Sequence, residues 1–500
     1  MRTTSNSRDL PVNSAEQLSS SCAGENPVAE TQVDQTGARS APLQDSPQRI
    51  NRPSIKALLH GAIFLAAAGV FCWALAFVLV PYGSKSAIMW HDLRQMGQLD
   101  TVYLGTSLVG RSVDPNLIDE RLGTESFNMA TPSQTLEDSY LGIEDAIKNH
   151  GVKRVVLGVE YAGLVSKADT KAGVFVTEKA KGESLPEALR DLSIAIDAQT
   201  WLGDPAAISI LLFPWQIQHV DSLNEAVQNV QMKLGGASIY EAGALDEADW
   251  TYYGKGFGST SSVTSYAIGP EDYYINYYEI AGADSFNPDR MAVLERICKL
   301  CADNGVELVL VTTPLSDAQI VSFGEQYGRF AEQLRAFADG HGAKFFDINL
   351  ARPELFADSN AYYHDFQHMN YAGSQAFSEA LAKLLAGIDA GAPVDEWFGN
   401  YADRIALVTQ LASAGFESIT VGEDAVRAVA ASTIGPNAQV EYRFSVAPAG
   451  SKDFQVVQDF STSKELTYTP PERGTYQVKV EARTAGNEKP EIASTRNFIF

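Results

Sequence analysis

The hydrophobic pattern of the chain begins with one long run. Residues Ala57 to Val80 are apolar except for His60, and no polar face recurs at helical spacing. A helix of this length, rising about 1.5 Å per residue, crosses a hydrocarbon core of roughly 30 Å. We therefore predict a transmembrane helix over residues 57–81.

The residues before this span have a different composition. Residues 1–53 are rich in Ser, Gln, Asn, Pro and Ala without apolar periodicity, which predicts a disordered tail. A secretory signal is not expected, because the leader is long and no small-x-small cleavage site follows. Basic residues are biased across the span, with Arg39, Arg49, Arg52 and Lys56 before it and Lys85 and Arg94 after it. This bias predicts a single-pass membrane protein with a cytoplasmic N-terminus and an extracytoplasmic remainder.

Downstream of the span, a short amphipathic stalk is predicted over residues 83–99, and apolar runs then alternate with amphipathic segments. The predicted strands cover residues 101–104, 125–129, 152–159, 306–313 and 344–348. The predicted helices cover residues 114–122, 134–150, 291–304, 323–340 and 375–385. This alternation predicts a parallel sheet with helices on both faces, and hence an α/β domain over residues 83–390.

Residues 164–285 interrupt the alternation and predict an insertion that caps the crevice at the sheet edge. Helical spacing recurs over residues 185–196 and 217–234. A tyrosine-rich run follows, with Tyr252, Tyr253, Tyr266, Tyr273, Tyr274, Tyr277 and Tyr278. Aromatic rings of this kind stack on sugars or pack a loop-rich subdomain, and the sequence leaves both interpretations open.

The pattern changes again after a predicted linker at residues 391–399. Apolar and polar residues alternate over residues 440–446, 454–457, 465–469 and 474–482, with turn signals between these segments. Such alternation predicts a small all-β sandwich over residues 397–500.

Charge limits the classes of partner. The chain carries 62 acidic and 38 basic residues, which give a formal net charge of -24. The acidic excess lies downstream of the span, so the folded part is a poor partner for nucleic acid or anionic lipid.

The candidate chemistry lies at the end of the first predicted strand. Ser107 follows Gly105 and Thr106 there, at the edge where an open α/β sheet leaves its crevice. A serine hydroxyl needs a base to take its proton and an acid to orient that base. Asp365 and His368, just before the last predicted α/β helix, supply both groups. These residues therefore predict a nucleophile, a general base and its orienting carboxylate.

These motifs resemble those of the SGNH (GDSL-like) hydrolases. Gly105-Thr106-Ser107 is similar to the first block of that family, and Asp365-x-x-His368 is similar to its last block. The order of the chain most resembles a membrane-anchored branch typified by the teichoic-acid D-alanyl transfer protein. The resemblance implies an SGNH-like three-layer α/β/α domain. The C-terminal module also resembles a tyrosine-motif β-sandwich, through Tyr442, Tyr468 and Tyr476.

The sequence departs from this family in its oxyanion donors. Family members commonly have an Asn at the end of the third-block strand, where this chain has Glu160. Backbone N–H groups of Ser107 and of the loop around Ser133 remain candidates for an oxyanion hole. Glu160 and Thr313, both at predicted strand ends, are candidate substrate contacts. Glu160 is also interpretable as a strand-end carboxylate that caps a turn or pairs with a cation.

Other chemistries have little support in the sequence. Cys298 and Cys301 form a C-x-x-C inside a predicted helix, which favours two buried cysteines over a redox pair. His364 and His368 lack a third ligand at metal-binding spacing, and no phosphate-binding glycine loop occurs. No metal and no cofactor are therefore expected.

Together these features predict an extracytoplasmic esterase or O-acyltransferase that acts on acyl esters of a cell-envelope polymer or glycan. The membrane-anchored relatives favour transfer, often beside a multi-span acyltransferase partner, and that expectation comes from resemblance alone. The alternative is a catalytically degenerate SGNH domain that binds glycan or scaffolds an envelope-modification or export complex. The missing Asn favours this alternative, and the retained Ser107, Asp365 and His368 oppose it.

Overall fold

The helices and strands are described from a computed structural model. It describes residues 55–165, 173–201, 209, 213–216, 219–235, 250–263, 285–365 and 367–500. The predicted tail at residues 1–53 lies outside the described residues. Contacts divide the chain into two units, Met1–Phe64 and Leu65–Phe500, and the fold below concerns the second unit except for the start of the first helix.

The helices in chain order are α1 (Ile55–Leu79), α2 (Lys85–Leu93), α3 (Ser107–Ser112), α4 (Pro115–Leu122), α5 (Leu136–His150), α6 (Tyr161–Val165), α7 (Gly173–Ala180), α8 (Leu185–Trp201), α9 (Leu223–Gly235), α10 (Pro288–Asp303), α11 (Asp317–Phe323), α12 (Gln326–Gly340), α13 (Tyr371–Asp389) and α14 (Tyr401–Ala406). Short 3-10 helices cover Pro214–Gln216, Ile348–Leu350, Asn360–Tyr362 and Val394–Trp397.

The strands are β1 (Thr101–Leu104), β2 (Ser126–Asn128), β3 (Arg154–Gly158), β4 (Thr251–Gly254), β5 (Phe257–Ser259), β6 (Glu307–Thr312), β7 (Lys344–Asp347), β8 (Ser413–Val421), β9 (Val426–Thr433), β10 (Val440–Pro448), β11 (Gln455–Ser461), β12 (Glu465–Tyr468), β13 (Thr475–Thr484) and β14 (Ile492–Ile499).

A five-stranded sheet in the order β2-β1-β3-β6-β7 forms the centre of the α/β domain. Every neighbouring pair in it is parallel. Alternate residues of β1 therefore face opposite layers: Val102 and Leu104 join one core cluster and Tyr103 joins the other. Both faces are covered, which confirms the predicted α/β class. All five carboxyl ends lie at one edge of the sheet, where such folds place their sites.

The first helix matches the longest hydrophobic run. Within the described residues, α1 is the one helix long and apolar enough to cross a membrane, and none of its residues is buried. The next helix differs from the prediction of a stalk. In α2, Met89, Trp90 and Leu93 are buried in the core of the α/β domain, and the Trp90 indole donates a hydrogen bond to the Phe175 carbonyl at 3.1 Å. The segment after α1 is therefore part of the domain it was expected to carry.

The helix predicted over residues 323–340 is observed as α12, which covers Gln326–Gly340. Gly324, with a φ of +68°, separates it from α11, a helix over Asp317–Phe323 that the sequence pattern did not predict. The predicted linker at residues 391–399 is packed rather than extended, because Val394 and Phe398 are buried in the same core cluster as Tyr103. The α/β domain continues through α14, whose Tyr401 hydroxyl donates a hydrogen bond to the Ile320 carbonyl at 3.0 Å.

The C-terminal strands form two antiparallel sheets, in the orders β11-β10-β13-β14 and β12-β9-β8. Their facing sides share one core cluster that includes Phe416, Phe444 and Val480. The sequence pattern predicted β10 to β13 and missed β8, β9 and β14. Only every second residue of such a strand faces the core, and small residues such as Ala428 and Ala430 give a weak signal there.

One hairpin from the insertion, β4–β5, closes against the end of strand β2. The Asn128 backbone N–H donates a hydrogen bond to the Lys255 carbonyl at 2.9 Å. Gly256 has a φ of +79°, and a Cβ there would lie 1.8 Å from the Asn128 carbonyl oxygen. Only glycine permits this approach, because any other residue would collide with backbone that cannot move away.

We predict that Gly256→Ala lowers the free energy of unfolding by about 2–4 kcal/mol, through left-handed strain and the backbone collision. Gly254→Ala is the matched control. Its φ is also positive, at +93°, but nothing lies within 4 Å of the added Cβ, so only the strain of about 1 kcal/mol remains. Chemical denaturation of both variants measures the difference. Equal losses would show that the hairpin does not depend on this close approach.

Candidate active site

Ser107 begins a helix directly after strand β1. Gly105 makes the turn with a φ of +144°, and the Thr106 side chain caps α3 by accepting a hydrogen bond from the Leu108 N–H at 3.2 Å. A Cβ at Gly105 would lie 2.6 Å from the Val109 side chain, and one at Gly158 would lie 2.1 Å from it. The two glycines therefore let Val109 pack over the sheet end, which holds α3 and its first residue at the edge.

Asn128 fixes the other end of this nucleophile helix, α3. The fully buried Asn128 side chain donates hydrogen bonds to the carbonyls of Val109 and Val113, at 3.1 and 2.9 Å. Its side-chain oxygen accepts a hydrogen bond from the Ala130 N–H at 3.0 Å. The Val109 carbonyl also accepts a hydrogen bond from the Val113 N–H at 3.0 Å, so Asn128 adds a second donor to it and ties Val113 to the same side chain. Sequence reasoning did not identify Asn128 as a positioning residue.

The loop before α13 brings a histidine to the serine. The His368 Nε2 atom lies 2.7 Å from the Ser107 Oγ atom, and the His368 Nδ1 atom lies 2.8 Å from the Asp365 carboxylate. The same carboxylate accepts hydrogen bonds from the backbone N–H groups of Gln367 and His368, at 2.9 and 2.7 Å. The loop closes where the His364 N–H donates to the His368 carbonyl at 2.8 Å. The structure thus brings Ser107, His368 and Asp365 into one hydrogen-bonded series.

These contacts set the charge of Asp365. Partial burial opposes ionisation of this carboxyl, but the hydrogen bonds from the His368 ring and the two backbone N–H groups outweigh it and lower its pKa to about 2. Because the pKa lies below its ordinary value of 3.8, the stabilisation from ionised Asp365 is present at neutral pH and lost as pH falls toward 2. An anionic Asp365 holds the proton on His368 Nδ1 and leaves Nε2 free to accept one.

The β4–β5 hairpin forms one wall beside this series. The Tyr371 N–H, at the start of α13, donates a hydrogen bond to the Thr260 carbonyl at 2.6 Å, and Ser262 hydrogen-bonds to the His364 ring. Tyr253 and Tyr371 stack with ring centroids 4.8 Å apart. The hairpin therefore lies beside the series of Ser107, His368 and Asp365, and the Tyr253 ring packs on protein there. The tyrosines of the tyrosine-rich run from Tyr266 to Tyr278 lie outside the described residues.

Glu160 contacts the turn that carries the nucleophile. The Thr106 hydroxyl donates a hydrogen bond to the Glu160 carboxyl, so this strand-end acid bonds to the residue preceding Ser107. Burial raises the pKa of Glu160 above its ordinary value of 4.5, although the Thr106 hydrogen bond and the nearby His368 both act to lower it. The structure thus places Glu160 next to the candidate nucleophile, and its carboxyl caps the turn.

Thr313 and Ser133 have different surroundings. Thr313 is buried and borders, with Glu160, a cavity of about 20 Å³, which is room for a single water. Ser133 has a positive φ of 54° in a loop whose Thr131 N–H is already bonded to the Gln134 side chain at 2.8 Å. Among the contacts of the described residues, none joins Ser133 to Ser107.

Sequence reasoning also missed a buried acid beneath the strand ends. Asp347, at the end of β7, accepts hydrogen bonds from three side-chain hydroxyls, at 2.6, 2.7 and 2.9 Å: Tyr161, Thr312 and Tyr327. It is completely buried, and burial raises its pKa despite these donors. The network ties the ends of β6 and β7 to the start of α6 and to α12. Its only sequence signal is a strand that ends in Asp.

Cys298 and Cys301 lie on α10 as free, buried thiols. Burial raises the pKa of Cys298 to about 11 and that of Cys301 to about 12, which makes both thiols poor nucleophiles. Among the described residues, no group of three or more His, Cys, Asp and Glu side chains is arranged to hold a metal ion.

A serine, a histidine and an aspartate in hydrogen-bonded series at the carboxyl edge of a parallel sheet define the arrangement used for acyl transfer on several unrelated folds. No family model and no curated protein matches the chain. Similar solved structures include a protein from Bacteroides fragilis that is described as an acylhydrolase. It is 10% identical, the match covers 60% of this chain and 93% of that chain, and the TM-score is 0.28. A GDSL-like lipase of Bacteroides thetaiotaomicron is also similar (10% identity, 61% of this chain, 99% of that chain, TM-score 0.28). Similarity at this level carries no functional information, so the chemistry has to be inferred from the residues themselves.

The Glu160 carboxyl generates a prediction about pH. Since its folded-state pKa is raised, the stability that the protonated carboxyl contributes is complete below pH 4.5 and lost as pH rises through the raised pKa. We predict that Glu160→Gln, which keeps an acceptor for Thr106 and removes the ionisation, becomes progressively more stable than the parent chain over that rise. Thermal denaturation at a series of pH values measures the difference. Glu354→Gln, at an exposed position, is the control, and equal profiles for all three proteins would contradict the prediction.

Proposed function

We propose that the chain is a membrane-anchored, extracytoplasmic serine esterase or O-acyltransferase that acts on acyl esters of a cell-envelope polymer or glycan. The observation that carries this proposal is the series Ser107 Oγ, His368 Nε2, His368 Nδ1 and Asp365 carboxylate, with separations of 2.7 and 2.8 Å. The apolar helix α1 supports anchoring, and the bias of basic residues before it supports an extracytoplasmic domain.

In the first half-reaction, Ser107 Oγ attacks the ester carbonyl carbon while His368 Nε2 accepts the hydroxyl proton. The carbon–oxygen bond to the leaving alcohol breaks, and His368 returns the proton to that oxygen. Asp365 remains ionised and stabilises the imidazolium that forms between the two proton transfers. The products are a free alcohol and an acyl ester on Ser107.

In the second half-reaction, an acceptor hydroxyl gives its proton to His368 and attacks the acyl carbon. The bond to Ser107 Oγ breaks, and the proton returns to the serine. Water as acceptor gives an esterase, and a sugar or polyol hydroxyl gives an O-acyltransferase. The backbone N–H of Ser107 and those of the loop around Ser133 are the proposed donors to the oxyanion. Resemblance to the membrane-anchored branch supports transfer, beside a multi-span acyltransferase partner.

One observation favours a second candidate, a non-catalytic domain that binds glycan or scaffolds an envelope complex. At the strand end where the resembled family has an Asn donor, this chain has a carboxyl that already accepts the Thr106 hydroxyl. A carboxylate there would repel a developing oxyanion rather than stabilise it. The reactivity of Ser107 separates the two candidates.

We predict that a fluorophosphonate probe labels the chain at Ser107 and that the chain releases p-nitrophenol from p-nitrophenyl acetate. Ser107→Ala removes the nucleophile and His368→Ala the base, so both variants should lose labelling and release. Ser193→Ala and His341→Ala, at positions away from the series, are matched controls and should retain both. A folded parent chain that stays unlabelled would contradict the enzyme proposal and favour the binding candidate.

We predict that adding glycerol to the p-nitrophenyl acetate reaction diverts acetyl groups from water to glycerol. An acyltransferase should form acetylglycerol in excess over the share expected from the concentrations of the two hydroxyls, because its acceptor site binds a polyol. Mass spectrometry of the products measures this partition. Formation of acetate alone would identify hydrolysis and contradict the transfer half of the proposal.

A further inference from the structure

Helix α9, within the insertion, is fastened to the end of the apolar helix α1. The Asn229 side chain donates hydrogen bonds to the carbonyls of Val78 and Val80, at 2.8 and 2.9 Å, and accepts one from the Tyr82 N–H at 2.6 Å. The Lys233 ammonium donates to the carbonyls of Phe77 and Val80, at 2.6 and 2.5 Å. The carbonyls at the end of α1, which have no partners within that helix, are thus satisfied by α9.

These hydrogen bonds place α9 beside the last turn of α1, which sets its depth relative to the bilayer. The 25 residues of α1, at about 1.5 Å each, exceed a hydrocarbon core of roughly 30 Å, so its last turn emerges in the headgroup layer. Lys233 and Asn229 contact that last turn. A helix held there lies at the depth where one side meets lipid and the other meets water.

The surface of α9 has an exposed apolar row and a separate buried face. Leu223, Val227 and Leu234 are 84%, 48% and 75% exposed, and their spacing places them in one row along the helix. Ala226 and Asn229 face inward and are buried. The described residues leave this apolar row uncovered, beside a transmembrane candidate whose own apolar side chains are exposed.

We propose that α9 lies in the headgroup layer of the bilayer that α1 crosses, with Leu223, Val227 and Leu234 inserted among the acyl chains. This inference rests on the proposed membrane anchoring. Its consequence is a second membrane contact beside the span, which limits rotation of the α/β domain about a single helix. The occupant is lipid rather than a protein partner, because the row belongs to a helix that is hydrogen-bonded to the end of α1, whose own apolar side chains are also exposed.

Spin labels on the full chain in phosphatidylcholine nanodiscs test the proposal. Cys22 and Cys72 are replaced by Ser, and the buried thiols of Cys298 and Cys301 should stay unlabelled at neutral pH, which the background chain checks. Val227→Cys reports the apolar row, Gln228→Cys is the matched exposed control one residue around the helix, and Ala67→Cys reports the span. We expect labels at 227 and 67 to collide severalfold more with oxygen than with a water-soluble nickel complex, and the label at 228 to show the reverse.

The other outcomes overturn the proposal in distinguishable ways. A water-accessible label at 227 with a lipid-accessible label at 67 removes the second contact and leaves the anchoring intact. A water-accessible label at 67 refutes the anchoring, and the inference fails with it. A label at 227 shielded from both reagents identifies a protein, either a partner or a second copy, as the occupant of the row.

Discussion

The hydrogen bond between Ser107 and His368 is the constraint that the rest of the structure has to satisfy. It joins two residues that are 261 positions apart, one after the first strand of the sheet and one after the last. A separation of 2.7 Å between such remote segments requires both strand ends to be rigid relative to each other. The parallel sheet supplies that rigidity. Strands β3 and β6 lie between β1 and β7, each is hydrogen-bonded to both of its neighbours, and packed side chains cover both faces of the sheet.

Two sets of contacts fix the position of α3, and hence of Ser107, relative to the sheet. Glycine at both 105 and 158 leaves room for Val109 against the sheet end, and Asn128 ties the far end of α3 to strand β2. Asp347 acts on other elements of the sheet edge, where its buried carboxyl accepts hydrogen bonds from three hydroxyls and joins β6, β7 and α6. A buried acid is costly unless its oxygens are satisfied, so this network tolerates little displacement of β6 or β7. Buried polar groups thus fix both the nucleophile helix α3 and the ends of β6 and β7.

The sequence predicted the features that have a local signature. Strand β1 was predicted at its observed ends, and Ser107, Asp365 and His368 were predicted from residue type and position at strand and helix ends. Asn128 and Asp347 were not predicted, because their partners lie on other elements and a single polar residue at the end of an apolar strand has no periodicity. The stalk was predicted wrongly for a related reason: an amphipathic face shows that a helix is covered, and it does not show by what.

Two effects oppose each other at Glu160. A carboxylate close to a nucleophile opposes the charge that develops in acyl transfer, yet the same group bonded to Thr106 stabilises the turn that presents Ser107. Burial raises the pKa of Glu160, so the neutral acid persists to higher pH than at an exposed position. A neutral carboxyl both donates and accepts hydrogen bonds, as the amide of Asn does. In its protonated form, Glu160 can therefore both donate and accept hydrogen bonds at this strand end, and its capacity to donate depends on pH.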